Sequence, residues 1–377
     1  MNQRYYSLDV FRGATVALMI LVNNPGSWGN IYSPLKHATW HGCTPTDLVF
    51  PFFLFAVGNA MAFVMPRFEA AGDAVFWKKV IKRTVLIFLI GLLLHWSPFV
   101  KWDGDTLVAK SLDNLRIFGV LQRIAVCYFF ASVIVYYGKT KGAFVISGIL
   151  LLLYWFLTVW LGKPGDPFSL QGYFGTNLDK SILGEAHMYR GEGVAFDPEG
   201  ISSTMAAIVQ VVFGFLAGQY IQQKGKSYEM LANLLIAGLV LIFAGFCWDL
   251  VFPINKKIWT SSYVLYTSGL AMLTISLLIY LIEFRNVKGA WSRFFDVFGK
   301  NPLFIFVMSG FLPRVLALIR FKDGDDLTSP LTWFWNHICK PISSDLRNGS
   351  LLYALVMITF YWLIVYWMDK RKIYVKV

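Results

Sequence analysis

Roughly ten runs of about twenty mostly apolar residues recur along this chain, each long enough to cross the hydrocarbon core of a bilayer as a helix. They fall at 8–23, 44–65, 80–96, 115–137, 143–161, 201–221, 230–251, 262–284, 302–319 and 351–368. Backbone polar groups in lipid must be satisfied within the segment, so such runs form helices. The expected fold is therefore all-α and polytopic, with about ten transmembrane helices in one bundle. With 56% hydrophobic and only 15% charged residues, little polar sequence is left over for a separate soluble domain. Residues 1–377 read as a single transmembrane domain. The first run carries Asp9 and Arg12 and meets no small-residue cleavage site, so it reads as a span rather than a signal peptide.

Charge sets the expected orientation. Placing the N-terminus inside puts Lys78, Lys79, Lys82, Arg83, Lys139, Lys141, Lys224, Lys226, Arg285 and Lys288 on the inner side. Ten spans then return the basic tail from Asp369 onward to the same side, so both termini are expected to be cytoplasmic. The net charge of +12 accordingly reports topology, and no basic stripe suited to nucleic acid stands clear of the spans. Cys127 and Cys247 lie inside runs. Cys43 and Cys339 fall on one side, which leaves a disulfide between them open. The cysteines and the five histidines show no ligand spacing, so no metal is expected.

The polar residues concentrate in the first hairpin, 7–66. Its connecting loop holds Asn23, Asn24, Lys36, His37, Trp40 and His41, more chemistry than an anchor requires. Asp9 and Arg12, three apart, share a helix face. They read either as helix-start and headgroup charges or as the wall of a pocket. Asp47 follows Thr44 and Pro45 in a pattern that starts a helix, so a capping role competes with a functional one. Further on, Gln122 and Arg123 sit too deep for easy snorkelling, and Arg123 must face an anion, water or an internal ion pair. The extracytoplasmic loop 162–200 is the longest and ends in Asp197-Pro198-Glu199-Gly200, a helix-start signal. Lys256, Lys257 and Trp259, with three hydroxyls, lie between the seventh and eighth runs, a composition that suits sugars or phosphates and equally an interfacial belt. Gly299, Lys300 and Asn301 open the ninth run, where a phosphate or simply the inner headgroups could be met.

The segments SLDVFRG, VNNPG, KHATWHG, TPTDLVFPFFLF, LRIFGVLQRIAVCY, DPEGISSTMAAIVQVVFGFLAG, INKKIWTSSYVL and FGKNPLFIFV, in this order, resemble the heparan-α-glucosaminide N-acetyltransferase family. The resemblance implies transfer of an acetyl group from cytoplasmic acetyl-CoA to the amine of an extracytoplasmic amino sugar or glycan. It implies His37 as the active histidine, assisted by Asn23, with Asp47 and Arg123 matching the acid and the arginine of family segments. The lysosomal members carry a lumenal domain ahead of the first span, so the expectation here is a bacterial inner-membrane relative acting on another amino sugar.

Acetyl transfer to an amine needs a base, donors for the oxyanion and a site for the CoA phosphates. His37 is the natural base, Asn23 an amide donor and Asp47 a carboxylate to orient the imidazole. Arg12, Arg123, Lys300 and Asn301 are the candidates for acetyl-CoA, and Asp9, Trp40, Lys257 and Trp259 for the acceptor. The expected partners are acetyl-CoA, the glycan acceptor, the bilayer and, in a homodimer, a second copy. Whether the acetyl group rests on His37 between steps stays open. A transporter or flippase without covalent chemistry is the alternative, although no internal repeat of the kind such proteins show is present. A structural or sensory subunit is a third reading, and it explains the two-histidine loop least.

Overall fold

A computed structural model describes residues 5–375, which are mostly helical. The helices are α1 (Tyr6–Asn23), α2 (Val49–Ala62), α3 (Met65–Ala71), α4 (Asp73–Trp96), α5 (Val120–Leu161), α6 (Phe174–Leu183), α7 (Ile201–Lys224), α8 (Tyr228–Asp249), α9 (Ser261–Ile279), α10 (Ala290–Lys300), α11 (Pro302–Leu316), α12 (Pro330–Phe334) and α13 (Leu346–Lys370). Two short antiparallel hairpins, β1–β2 (Val100–Asp103 with Thr106–Ala109) and β3–β4 (Phe321–Asp323 with Asp326–Thr328), interrupt them. These strands depart from the all-α expectation. Both hairpins are tight turns around Gly104 and Gly324, whose φ values of 58° and 67° suit glycine.

Among the described residues, seven helices are long and apolar enough to cross a membrane, or eight if α10 and α11 together count as one bent span. The difference from ten has two visible sources. The α5 helix is 42 residues long and breaks at Lys139, whose φ of 50° and ψ of −166° are non-helical, so one continuous element covers two of the apolar runs. The α4 helix opens with Lys78, Lys79, Lys82 and Arg83, which dilute its apolar character. Two further corrections concern shape. The fourth run begins its helix at Val120 rather than 115, and the ninth is not straight: α10 and α11 meet at 81°, at Asn301-Pro302. Proline at the first turn of α11 lacks the donor needed to continue α10.

Packing relies on glycine where helices come closest. A Cβ on Gly58 of α2 would sit 1.8 Å from the Val211 carbonyl oxygen, and one on Gly214 of α7 would sit 2.0 Å from that of Phe55. Gly13 and Gly299 do the same for α1 against α10. In a bilayer, where lipid tails are as apolar as leucine, such close backbone approach supplies the packing energy. The α7 helix is the most enclosed, whereas Phe144, Phe156, Trp160 and Phe243 point outward as an apolar surface. Arg12 Nε donates to the Gly299 carbonyl, and Lys300 pairs with Asp369 near the end of α13, so the start of α1 and the end of α13 lie at the same end of the bundle. All four cysteines are free, which removes the disulfide left open between Cys43 and Cys339. Cys247 is exposed on α8 rather than packed inside.

Candidate active site

The α1 helix stops at Asn23, and the loop to α2 folds back across the opposite end of the bundle from Arg12. Several backbone contacts hold it down: Gly42 N–H donates to the Ile254 carbonyl at 2.7 Å, and Gly26 N–H to that of Ser350 at 3.4 Å. The turn Pro45–Leu48 then leads into α2. Its capping box is made by Thr44 and Asp47, as the sequence pattern predicts. Asp47 Oδ2 accepts from Thr44 N–H, Thr44 Oγ1–H and Ala38 N–H, each at 3.0 Å. That leaves Oδ1 for His37.

The His37 Nδ1 to Asp47 Oδ1 distance is 2.6 Å. The carboxylate is 1% exposed and the imidazole 44%, so the pair has a buried end and an open end. Because a carboxylate only accepts, Nδ1 carries the hydrogen and Nε2 keeps a lone pair. Asp47 thus uses one oxygen for the cap and the other for the contact with His37. Lys256 completes the group: its Nζ stands 3.0 Å from His37 Nδ1 and 3.5 Å from Asp47 Oδ1. Burial lowers the pKa of Lys256, and the negative charges of Asp47 and Glu199 oppose that shift.

These residues line a cavity of about 290 Å³ together with Asn23, Trp40, Lys257 and Trp259. Its deeper wall is apolar, from Met19, Val22, Phe50, Phe53, Ile124 and Phe306. Its other charged wall comes from Arg116, whose guanidinium donates to Asp197 at 2.6 and 3.1 Å and to Glu199 at 2.6 Å. Burial would raise Glu199, but Arg116, Arg123 and Lys256 outweigh it and hold the carboxylate in its charged form. Trp40 is fixed by donating to the Phe168 carbonyl at 2.8 Å, and Lys257 lies over its ring while pairing with Glu192 at 2.6 Å. An open carboxylate-oriented imidazole, an amide, and cations beside an apolar slot can accept a proton and steady a developing oxyanion.

The other expected site residues lie elsewhere. Arg123 is fully buried behind the cavity, donating to the Gly200 carbonyl at 3.1 Å and to Ser203 Oγ, with its guanidinium 5.1 Å from the centre of the Trp259 ring. Trp259 thus separates it from the pocket. Asp9 and Arg12 pair at 2.8 Å and line a separate cavity with Asn59 and Phe63 at the far end of α1. Lys300 pairs with Asp296 at 2.8 Å and Asp369 at 3.1 Å. Asn301 donates to the Ile373 carbonyl and accepts from Val375 N–H. Both are engaged with the C-terminal segment. His41 Nδ1 lies 3.4 Å from the Asn255 amide nitrogen, and burial lowers its pKa. Arg116 was not singled out by sequence, and Glu199 was read only as part of a helix-start signal. A loop arginine and a loop glutamate far apart in the chain carry no spacing signal.

Residues 4–171 match the family described as heparan-alpha-glucosaminide N-acetyltransferase, catalytic, a stretch that contains α1 through α5 and the His37 loop. The heparan-alpha-glucosaminide N-acetyltransferase of Homo sapiens is 28% identical over 363 residues, covering 81% of this chain and 52% of that protein. The protein of the same name from Mus musculus is 26% identical over 432 residues, covering 99% of this chain and 60% of that protein. The chain thus spans between half and two thirds of the length of these relatives. The stretch that carries the His37 loop thus matches the catalytic region of that family, and relatives bearing its name align along most of the chain.

Proposed function

We propose that this protein is a membrane-embedded acetyltransferase that moves an acetyl group from cytoplasmic acetyl-CoA to the amine of an extracytoplasmic amino sugar or glycan. The observation that carries the reading is the 2.6 Å contact between His37 and the buried Asp47 at the lip of a cavity also lined by Asn23. His37 Nε2 takes the proton of the attacking amine as the C–N bond forms, with Asp47 holding the ring and the Asn23 amide donating to the oxyanion; when the intermediate collapses the C–S bond breaks and the imidazolium returns that proton to the CoA thiolate. Asp47 also gives the imidazolium a counter-charge during the step. Trp40, Lys257 and Trp259 line the acceptor side. Arg12, beside the separate cavity at the other end of α1, is a contact for the CoA phosphates. The tethers of Lys300 and Asn301 make them weaker candidates for that role than Arg12, and Arg123 acts by holding Trp259 and the start of α7.

The topology proposed with this function has ten crossings, counting α5 twice and adding α4 and the bent α10–α11 pair to the helices long enough alone. Both termini are then cytoplasmic, which agrees with the basic residues at that end. The membrane is proposed to be a bacterial inner membrane. The test uses purified protein in sealed vesicles, labelled acetyl-CoA and a panel of amino sugars. Label should reach an amino sugar on the side opposite the donor, and label transfer only on the donor side would overturn the transmembrane arrangement.

A further inference from the structure

Beside the catalytic cavity lies a larger one, of about 860 Å³, whose lining includes Lys101, Lys110, Arg116, Arg314, Arg320 and His95 but no carboxylate. Of the five cations only Arg116 has an acidic partner among the described residues; the others form no ion pair there. Lys110 donates to the carbonyls of His95 and Ser97 at 3.2 and 3.4 Å, Arg314 to Leu94 and Ser97, and Arg320 to Gly104 at 3.4 Å. Burial and the nearby Arg314 together lower the pKa of Lys110, the mark of cations crowded without compensation. Like charges are gathered at this cost where an anion is to be met. The arginines present the planar forks that suit phosphate and the lysines act as point charges.

The setting distinguishes a lipid from a free ion. The cavity is framed by the C-terminal ends of α4 and α11 and by the β1–β2 hairpin. Trp102 lines it, donating to the Leu318 carbonyl at 3.0 Å and stacking under Arg320 at 4.5 Å. Such a tryptophan marks a membrane–water boundary. Below it, α4 turns Ile81, Val85, Leu89 and Leu93 outward, a strip on which acyl chains can lie. A cleft of about 190 Å³ between α4, α5 and α11, lined by Gly91, Leu94 and Gly310, shares His95 and Arg314 with the basic cavity and Asn23 with the catalytic one.

We propose that this basic cavity binds the phosphate group of a lipid at the membrane surface, next to the catalytic pocket. The phosphate has two sources, a resident anionic phospholipid or the lipid phosphate on which an amino-sugar acceptor is carried. The second rests on the acetyltransferase reading; the binding itself does not. The test titrates short-chain phosphatidylglycerol, short-chain phosphatidylcholine and inorganic phosphate into purified full-length protein in neutral detergent, following tryptophan fluorescence and thermal unfolding. Phosphatidylglycerol should bind, with phosphatidylcholine and inorganic phosphate at least tenfold weaker. Lys110→Gln and Arg320→Gln, each alone and together, should weaken phosphatidylglycerol at least tenfold when combined, while unfolding without lipid is unchanged. Equal binding of the two lipids would overturn the proposal, and so would inorganic phosphate binding as tightly as phosphatidylglycerol. If the double variant unfolds early, the two single variants and the lipid comparison decide. A short-chain polyprenyl phosphate bearing glucosamine, added with labelled acetyl-CoA, separates the sources. Acetylation assigns the phosphate to the acceptor, and displacement of phosphatidylglycerol without acetylation assigns it to a resident lipid. Failure to displace it at all rules out the acceptor source.

Discussion

Replacing Asp47 with asparagine separates the two jobs that this side chain combines. Oδ2 accepts three hydrogen bonds at 3.0 Å from Ala38 and Thr44, and an asparagine carbonyl oxygen can take that place. Its amide nitrogen then faces His37 Nδ1 across the 2.6 Å contact. That nitrogen donates, so Nδ1 must accept, and the ring proton moves to Nε2. The base thereby loses the lone pair it needs. Weakening three bonds to a charged acceptor and stranding Lys256 costs roughly 1–3 kcal/mol of stability. Loss of the base costs about 10²–10⁴-fold in turnover, or ~3–5 kcal/mol in the barrier. The assay is labelled acetyl transfer by detergent-purified protein, read beside the unfolding temperature and donor affinity. Asp47→Asn should keep a folded, donor-binding protein with turnover down by that factor. Adding His37→Ala should lower it little further, since the two act as one unit. Turnover within a few-fold of the parent would refute the reasoning, as would additive losses.

Asn23→Ala should lower turnover roughly 10²-fold with donor affinity unchanged if its amide meets the oxyanion, measured by the same transfer assay. Burial lowers the pKa of Lys256, so its charge is lost at a lower pH than that of an ordinary lysine. Activity should therefore fall on the alkaline side before free lysines titrate, and Lys256→Met should abolish that limb in a pH–rate profile while lowering the plateau. Asp179, which accepts from Ile201 N–H at the start of α7, has its pKa raised by burial to about 7. A raised carboxylate means the folded state holds the proton more tightly than the unfolded one. Stability should therefore decline as pH rises from the ordinary carboxylate range through about 7, and Asp179→Asn should unfold later than the parent at about pH 8 but not at about pH 4.

The spans were legible because lipid leaves the backbone one solution, so length and hydropathy alone locate α1, α7 and α8 closely and α9 and α13 with one end several residues off. Thr44-Pro45-Thr46-Asp47 announced its turn for the equally local reason that proline and a capping acid act within one turn. The 81° bend was not legible: Asn301-Pro302 signals a break, but its angle depends on what α10 packs against. Asn301 looked free for a ligand because its partners, Ile373 and Val375, lie far along the chain, and so does the Asp369 that Lys300 shares with its local i,i+4 partner Asp296. Lys256 beside Trp259 resembles an interfacial belt, and only the fold places its ammonium against His37. The four uncompensated cations of the larger cavity come from two segments far apart in the chain, and no window of sequence contains them together.

The most direct measurement compares His37→Ala with His41→Ala. Both histidines share one loop beside Trp40, yet only His37 contacts Asp47, while His41 faces Asn255. With labelled acetyl-CoA and a proven amino-sugar acceptor, His37→Ala should bind the donor and transfer no label, and His41→Ala should retain most of the activity. An essential His41 with a dispensable His37, or full transfer by both folded variants, would contradict the central claim.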